Sequence, residues 1–214
     1  PYSILFRGCS FCIPYEVGVV SALRDLSPDI MKSAYRIYGA SSGSVVATAG
    51  LCGCDLGKDY RFLFILRKCY TKASCQFSPI CAKTCKRPCA ENQEKWGKKT
   101  KYLCLCNIES SWKISVALCS PLSFPSHPQA IMCSCFIPLY MGISPPKFRG
   151  VRYVDGELAM WRANFVSRTT ITISSFAGEY DICPKESPAA FLNFQLSDCI
   201  LQISKMNICR LLYI

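Results

Sequence analysis

Residues 35 to 51 read "YRIYGASSGSVVATAGL", and their reading decides the fold. Gly39-Ala40-Ser41-Ser42-Gly43 matches G-x-S-x-G. The match alone is weak, because small residues also collect in loops. Its setting carries more information. Upstream, "AYRIY" is aromatic and β-branched, as at the end of a strand. Downstream, "SVVATAGL" is apolar and suits the start of a buried helix. A serine between the two sits on a sharp turn, with Gly39 and Gly43 letting the backbone pass without Cβ clashes. The helix start then aims free N–H groups at nearby negative charge. Two readings stay open for Ser41: a nucleophile, or one residue of a small-residue loop.

The surrounding sequence fits an α/β sheet with parallel strands. "YSILF" (2 to 6) is a short apolar strand, followed by the turn "RGCSF". "YEVGVVSALRDL" (15 to 26) has helical spacing and ends near Ser27-Pro28. "KYLCLCNI" and "WKISVALC" suit a strand pair around "ESS". "SPLSFPSHPQ" (120 to 129) holds three prolines and should be irregular. "GVRYVDGEL" reads as a strand ending in an Asp-Gly turn, and "TTITISSF" as a further strand. No internal repeat stands out.

The 214 residues suffice for one domain with a sizeable core, half of them hydrophobic and 18% charged, which excludes a disordered chain. The sequence opens on Pro1 rather than Met and is expected to be incomplete. No run of 18 apolar residues predicts a transmembrane helix. Of the net +11, +8 lies in residues 67 to 101, where ten Lys and Arg face Glu91 and Glu94. Such a patch suits nucleic acid or an anionic membrane, but also a plain solvated loop. Seventeen cysteines are an odd count for a disulfide framework. Cys69, Cys75, Cys81, Cys85 and Cys89 show no C-x2-C spacing, so a metal site is not expected. Others, such as Cys104, Cys106, Cys133 and Cys135, lie in apolar runs and read as small buried hydrophobes. That usage favours a reducing, intracellular compartment.

A serine nucleophile needs a base. The one histidine, His127, lies between prolines and reads as loop rather than base. Asp155 remains, at a strand end where α/β sheets collect active residues, although on its own an ordinary Asp-Gly turn is the favoured explanation. Gly8, after the first strand, is placed to present backbone N–H groups to Ser41.

Three long stretches carry a resemblance: "FRGCSFCIPYEVGVVSALRDLSPDIMKSAYRIYGASSGSVVA", "CSCFIPLYMGISPPKFRGVRYVDGELA" and "TITISSFAGEYDICPKESPAAF". Together they resemble the patatin-like phospholipase domain family, in particular its adiponutrin-type subgroup. The resemblance implies a three-layer α/β/α fold with a mainly parallel central sheet. It implies a patatin-like domain over residues 3–168, with a divergent basic, Cys-rich segment at 66–101, and the start of a truncated C-terminal extension at 169–214. It implies a Ser-Asp dyad, with Ser41 the nucleophile and Asp155 the proton acceptor. The oxyanion hole falls at Gly8, Cys9 and Ser10, and the motif glycines are Gly39, Gly43 and Gly156. The implied activity is a lipase or acyl hydrolase of acylglycerols or phospholipids, acting in lipid catabolism. The implied setting is the cytoplasm, a lipid droplet or a membrane, with no metal, cofactor or nucleic acid. Against the family's G-x-G-x-x-G and D-G-G or D-G-A, this chain has Ser10, Ile13 and Glu157 at three positions. Those departures raise an alternative: a catalytically impaired lipid-surface or partner-binding relative.

Overall fold

A computed structural model describes residues 2–51, 101–108, 114–119, 127–157, 169–186, 192–196 and 199–212. It begins with β1 (Ser3–Phe6), a 3-10 turn (Ser10–Cys12) and α1 (Ile13–Leu26). Then follow α2 (Pro28–Ser33), β2 (Arg36–Ala40) and α3 (Ser42–Leu51). After these come β3 (Lys101–Ile108), β4 (Ile114–Cys119) and α4 (His127–Ser134). β5 (Lys147–Phe148), β6 (Val151–Val154) and β7 (Thr170–Ile173) complete the main sheet. The chain closes with β8 (Asn193–Leu196), β9 (Cys199–Gln202) and α5 (Lys205–Leu212).

The sheet runs β5-β6-β3-β2-β1-β7, with β4 also paired to β3. Its middle strands β3, β2, β1 and β7 are parallel, while β4 and β6 are antiparallel to β3. All four residues of β1 are buried. Successive strand residues point to opposite faces, so both faces of the sheet are covered there, as in a three-layer α/β/α sandwich. Ile4, Phe6, Val17, Val20, Met31, Ile37, Val46 and Ile173 form the core that binds strands to helices.

The expected strand–turn–helix pair, the β3–β4 hairpin, and the strands at β6 and β7 are all present. α1 begins two residues earlier than its spacing predicted, because Pro14 occupies its first turn, where a missing N–H costs nothing. One expectation is corrected. The stretch 120 to 129 was expected to be irregular, but His127, Pro128 and Gln129 begin α4. Pro128 falls in the first turn, where its fixed φ favours the helix. The basic segment 66–101 lies outside the described residues, except that Lys101 opens β3. The sheet draws on residues either side of position 168, since β7 pairs β1 in register from Ser3–Thr170 to Phe6–Ile173.

Among the described residues, no helix is long and apolar enough to cross a membrane. Cys133 and Cys135 are buried as expected, and burial pushes the Cys133 thiol up to about 12.

Candidate active site

Parallel pairing brings the carboxyl ends of β1, β2 and β3 to one edge, and the turns after β1 and β2 open there. β2 pairs β3 as far as Ala40–Leu105. β6 pairs β3 in the opposite sense, with Val154 opposite Asn107. Continuing each register by one residue brings Ser41 and Asp155 to the level of Cys106. An antiparallel strand thus delivers its C-terminal residue to the edge that parallel strands use.

Ser41 is buried and has a φ of 50°, a left-handed conformation that side chains with a Cβ adopt at a cost. Its carbonyl accepts the N–H of Ser44 at 3.0 Å, which starts α3, and the Ser44 hydroxyl at 2.6 Å. The flanking glycines are required by close approach. A Cβ on Gly39 falls 2.4 Å from Ser44 Cα, and one on Gly43 falls 2.4 Å from the Phe6 carbonyl oxygen. The strand end and the helix start touch backbone to backbone, which is what a nucleophile elbow requires.

Residues at the end of α4 bracket the two candidates. The Ser41 N–H donates to Ser134 Oγ at 3.1 Å, and the Asp155 N–H donates to the Phe136 carbonyl at 2.7 Å. Asp155 is 2% exposed, and its Oδ1 accepts the Glu157 N–H at 2.8 Å. That Asx turn orients the carboxylate. Gly156, within it, is buried. Sequence reasoning missed Ser134: a serine inside "CSCF" gives no local sign that it meets a backbone 93 residues away. His127 opens α4.

The turn after β1 is less orderly. Ser10 has a φ of 46°, so a residue with a Cβ occupies backbone suited to glycine. Ile13 does not: its φ and ψ are ordinary helical values, and its side chain joins the core. Of the three expected oxyanion groups, two have their N–H engaged by side chains. The Gly8 N–H donates to Glu157 Oε2 at 2.7 Å, and the Cys9 N–H to Ser42 Oγ at 2.9 Å. Glu157 also accepts from Arg7, whose Nε and Nη2 lie 2.9 and 2.6 Å from Oε1. A Cβ on Gly8 falls 2.9 Å from Glu157 Cβ and 3.0 Å from Ser41 Cβ. Glu157, Gly8 and Ser41 therefore share one space.

Behind this turn lies Glu16, on α1 and fully buried. Neither of its oxygens has a hydrogen-bond partner among the described residues. Burial raises its carboxyl well above the ordinary range, the Glu157 charge adds to this, and the Cys9 thiol opposes it. Burial likewise holds Cys9 as a thiol, so it is no nucleophile. No cluster of three or more His, Cys, Asp or Glu suited to a metal occurs among the described residues.

No family model matches the chain. It is 33% identical to the omega-hydroxyceramide transacylase of Homo sapiens, over 99% of this chain and 41% of that protein. It is 32% identical to the 1-acylglycerol-3-phosphate O-acyltransferase PNPLA3 of Homo sapiens, over 97% of this chain and 44% of that protein. It is 31% identical to patatin-like phospholipase domain-containing protein 2 of Rattus norvegicus, over 98% of this chain and 45% of that protein. The chain thus spans less than half the length of these relatives. Among solved structures, that of VipD from Legionella pneumophila matches with a TM-score of 0.49 and 12% identity, covering 80% of this chain and 49% of that one.

Proposed function

The chain belongs to the patatin-like phospholipase domain-containing family, and on that premise we propose that it is a serine acyl hydrolase of lipid esters, with Ser41 as nucleophile and Asp155 as proton acceptor. One observation carries the reading. A buried serine, held at positive φ on a strand-to-helix turn, and a buried aspartate are bracketed by the same three residues, 134–136.

Ser41 Oγ adds to the ester carbonyl while its proton passes to the Asp155 carboxylate. The intermediate collapses, the C–O bond to the alcohol breaks, and Asp155 returns the proton to the departing alkoxide. Water, deprotonated by the same carboxylate, then attacks acyl-Ser41; the bond from Ser41 Oγ to the acyl carbon breaks and Asp155 returns the proton to Oγ. An alcohol acceptor in place of water yields acyl transfer, the chemistry that the names of two relatives carry. The substrates we favour are acylglycerols or phospholipids at a droplet or membrane surface. Supporting this, Leu139, Tyr140 and Ile143 are exposed in the loop between α4 and β5, and Lys147 and Arg149, which follow in sequence, are exposed too. Residues 136–154 contain no acidic side chain. Exposed apolar and cationic groups together suit an anionic lipid interface.

One observation favours a second reading, a weak enzyme that keeps its surface role: the Glu157 carboxylate already takes the Gly8 N–H. Labelling with a fluorophosphonate probe tests the first reading. An adduct mapped to Ser41, and lost in Asp155→Asn, is expected; an adduct elsewhere, or none, refutes it.

A further inference from the structure

Three N–H groups converge on the carboxylate of Glu157: Nε and Nη2 of Arg7 on Oε1, and the Gly8 amide on Oε2. A guanidinium and a backbone amide, each addressing one oxygen, are the recognition set for a planar carboxylate. The receiving side is built into the fold. Arg7 directly follows β1, its N–H bonds the Ile173 carbonyl at 2.9 Å, and its guanidinium lies 5.6 Å from the Tyr180 ring. It is 2% exposed. The donated side comes from 150 residues away and is one-fifth exposed. Receptor and occupant are therefore separable: the receptor is core, and the occupant is a tethered side chain at its mouth.

We propose that Arg7 and the Gly8 amide form a monocarboxylate-binding site, which Glu157 fills from within the chain. A free carboxylate takes the same place when Glu157 is absent. The site adjoins Ser41, since a Cβ on Gly8 lies 3.0 Å from Ser41 Cβ. Its consequence for catalysis rests on the acyl-hydrolase reading: the fatty acid released at Ser41 is a monocarboxylate, and in this chain Glu157 contests its place.

Rescue in trans tests the site without requiring any catalysis. Ser41→Ala serves as parent, so failure of the nucleophile assignment cannot affect the result. Adding Glu157→Ala removes the carboxylate that Arg7 and the Gly8 amide address, and should lower Tm. Sodium acetate or octanoate should then raise Tm saturably, by about 5–10 °C at a hundredfold excess over Kd, relative to sodium chloride or phosphate at equal ionic strength. Acetate alone succeeding identifies a headgroup site; octanoate succeeding at far lower concentration identifies a fatty-acid site. The parent itself, the Arg7→Ala/Glu157→Ala pair and the shape-preserving Glu157→Gln should show no such gain. If Glu157→Ala does not fold in chloride, recovery of its near-UV circular dichroism on adding acetate supports the site, and no recovery refutes it. A gain equal to that in chloride, or equal with Arg7 removed, overturns the proposal.

Discussion

The turn after β2 and the turn after β1 meet at one sheet edge, yet their glycines have fared differently. At Gly39 and Gly43 no Cβ fits, because backbone lies within 2.4 Å on each side. At the turn after β1, Gly8 remains, but Ser10 carries a φ of 46° with a side chain attached. On the proposed function, the turn after β2 holds the nucleophile and the turn after β1 stabilises charge that develops on the substrate. A steric requirement is enforced by the fold itself, since a Cβ at either elbow glycine overlaps backbone that must then shift. An oxyanion donor is needed only in the transition state, so its N–H is open to capture by Glu157 without harm to folding.

The largest effect expected is on the elbow side. Ser41→Ala and Asp155→Asn should each lower ester hydrolysis by about a thousandfold or more, and the double variant should be little worse, because dyad members act as a unit. A double variant far below both singles breaks the dyad. His127→Ala, the control at the start of α4, should leave kcat/KM within about threefold.

Next in size is the steric asymmetry between the turns. Gly39→Ala should destabilise the chain by about 3 kcal/mol in urea titrations, since its nearest obstacle is helix backbone. Ser10→Gly should instead stabilise it by about 1 kcal/mol through relief of positive φ, and raise turnover about tenfold. A Gly39→Ala variant as stable as the wild type, or a Ser10→Gly variant less stable than it, dissolves the contrast.

Glu16 sharpens it further. Its folded-state carboxyl is raised above the 4.5 of an unfolded chain, so its contribution to stability is complete below that pH and is lost as pH rises towards the raised value. Glu16→Gln should remove this loss. The variant should gain on the wild type by at most about 1.4 kcal/mol per pH unit through that window. Parallel stability curves from pH 4 to 8 contradict a buried, protonated Glu16.

Much of the architecture was legible in the sequence because its signals are local. Strand, turn and helix leave periodic patterns, and Ser10 announces itself by standing where glycine is wanted. The α4 helix was hidden by prolines that in fact begin it. The β8–β9 hairpin and the α5 helix, whose Asn207 bridges Ala177 and Gln202, carry no comparable pattern. Least legible were contacts between distant residues. Nothing near Arg7 predicts Glu157, nothing near Ser134 predicts Ser41, and Glu16 looks like any helical surface glutamate until α1 is packed.

On the proposed function, Ser41 is a competent nucleophile whose Gly8 donor is held by Glu157. The rate of fluorophosphonate attack reads it directly, because the phosphonyl oxygen seeks the donor that an acyl oxyanion would use. With adducts mapped by mass spectrometry and rates corrected for the folded fraction, Glu157→Ala should label Ser41 at least about tenfold faster than wild type, towards the hundred- to thousandfold worth of one oxyanion donor. Equal or slower labelling of Ser41 in the variant, or no adduct on Ser41 in either protein, contradicts it.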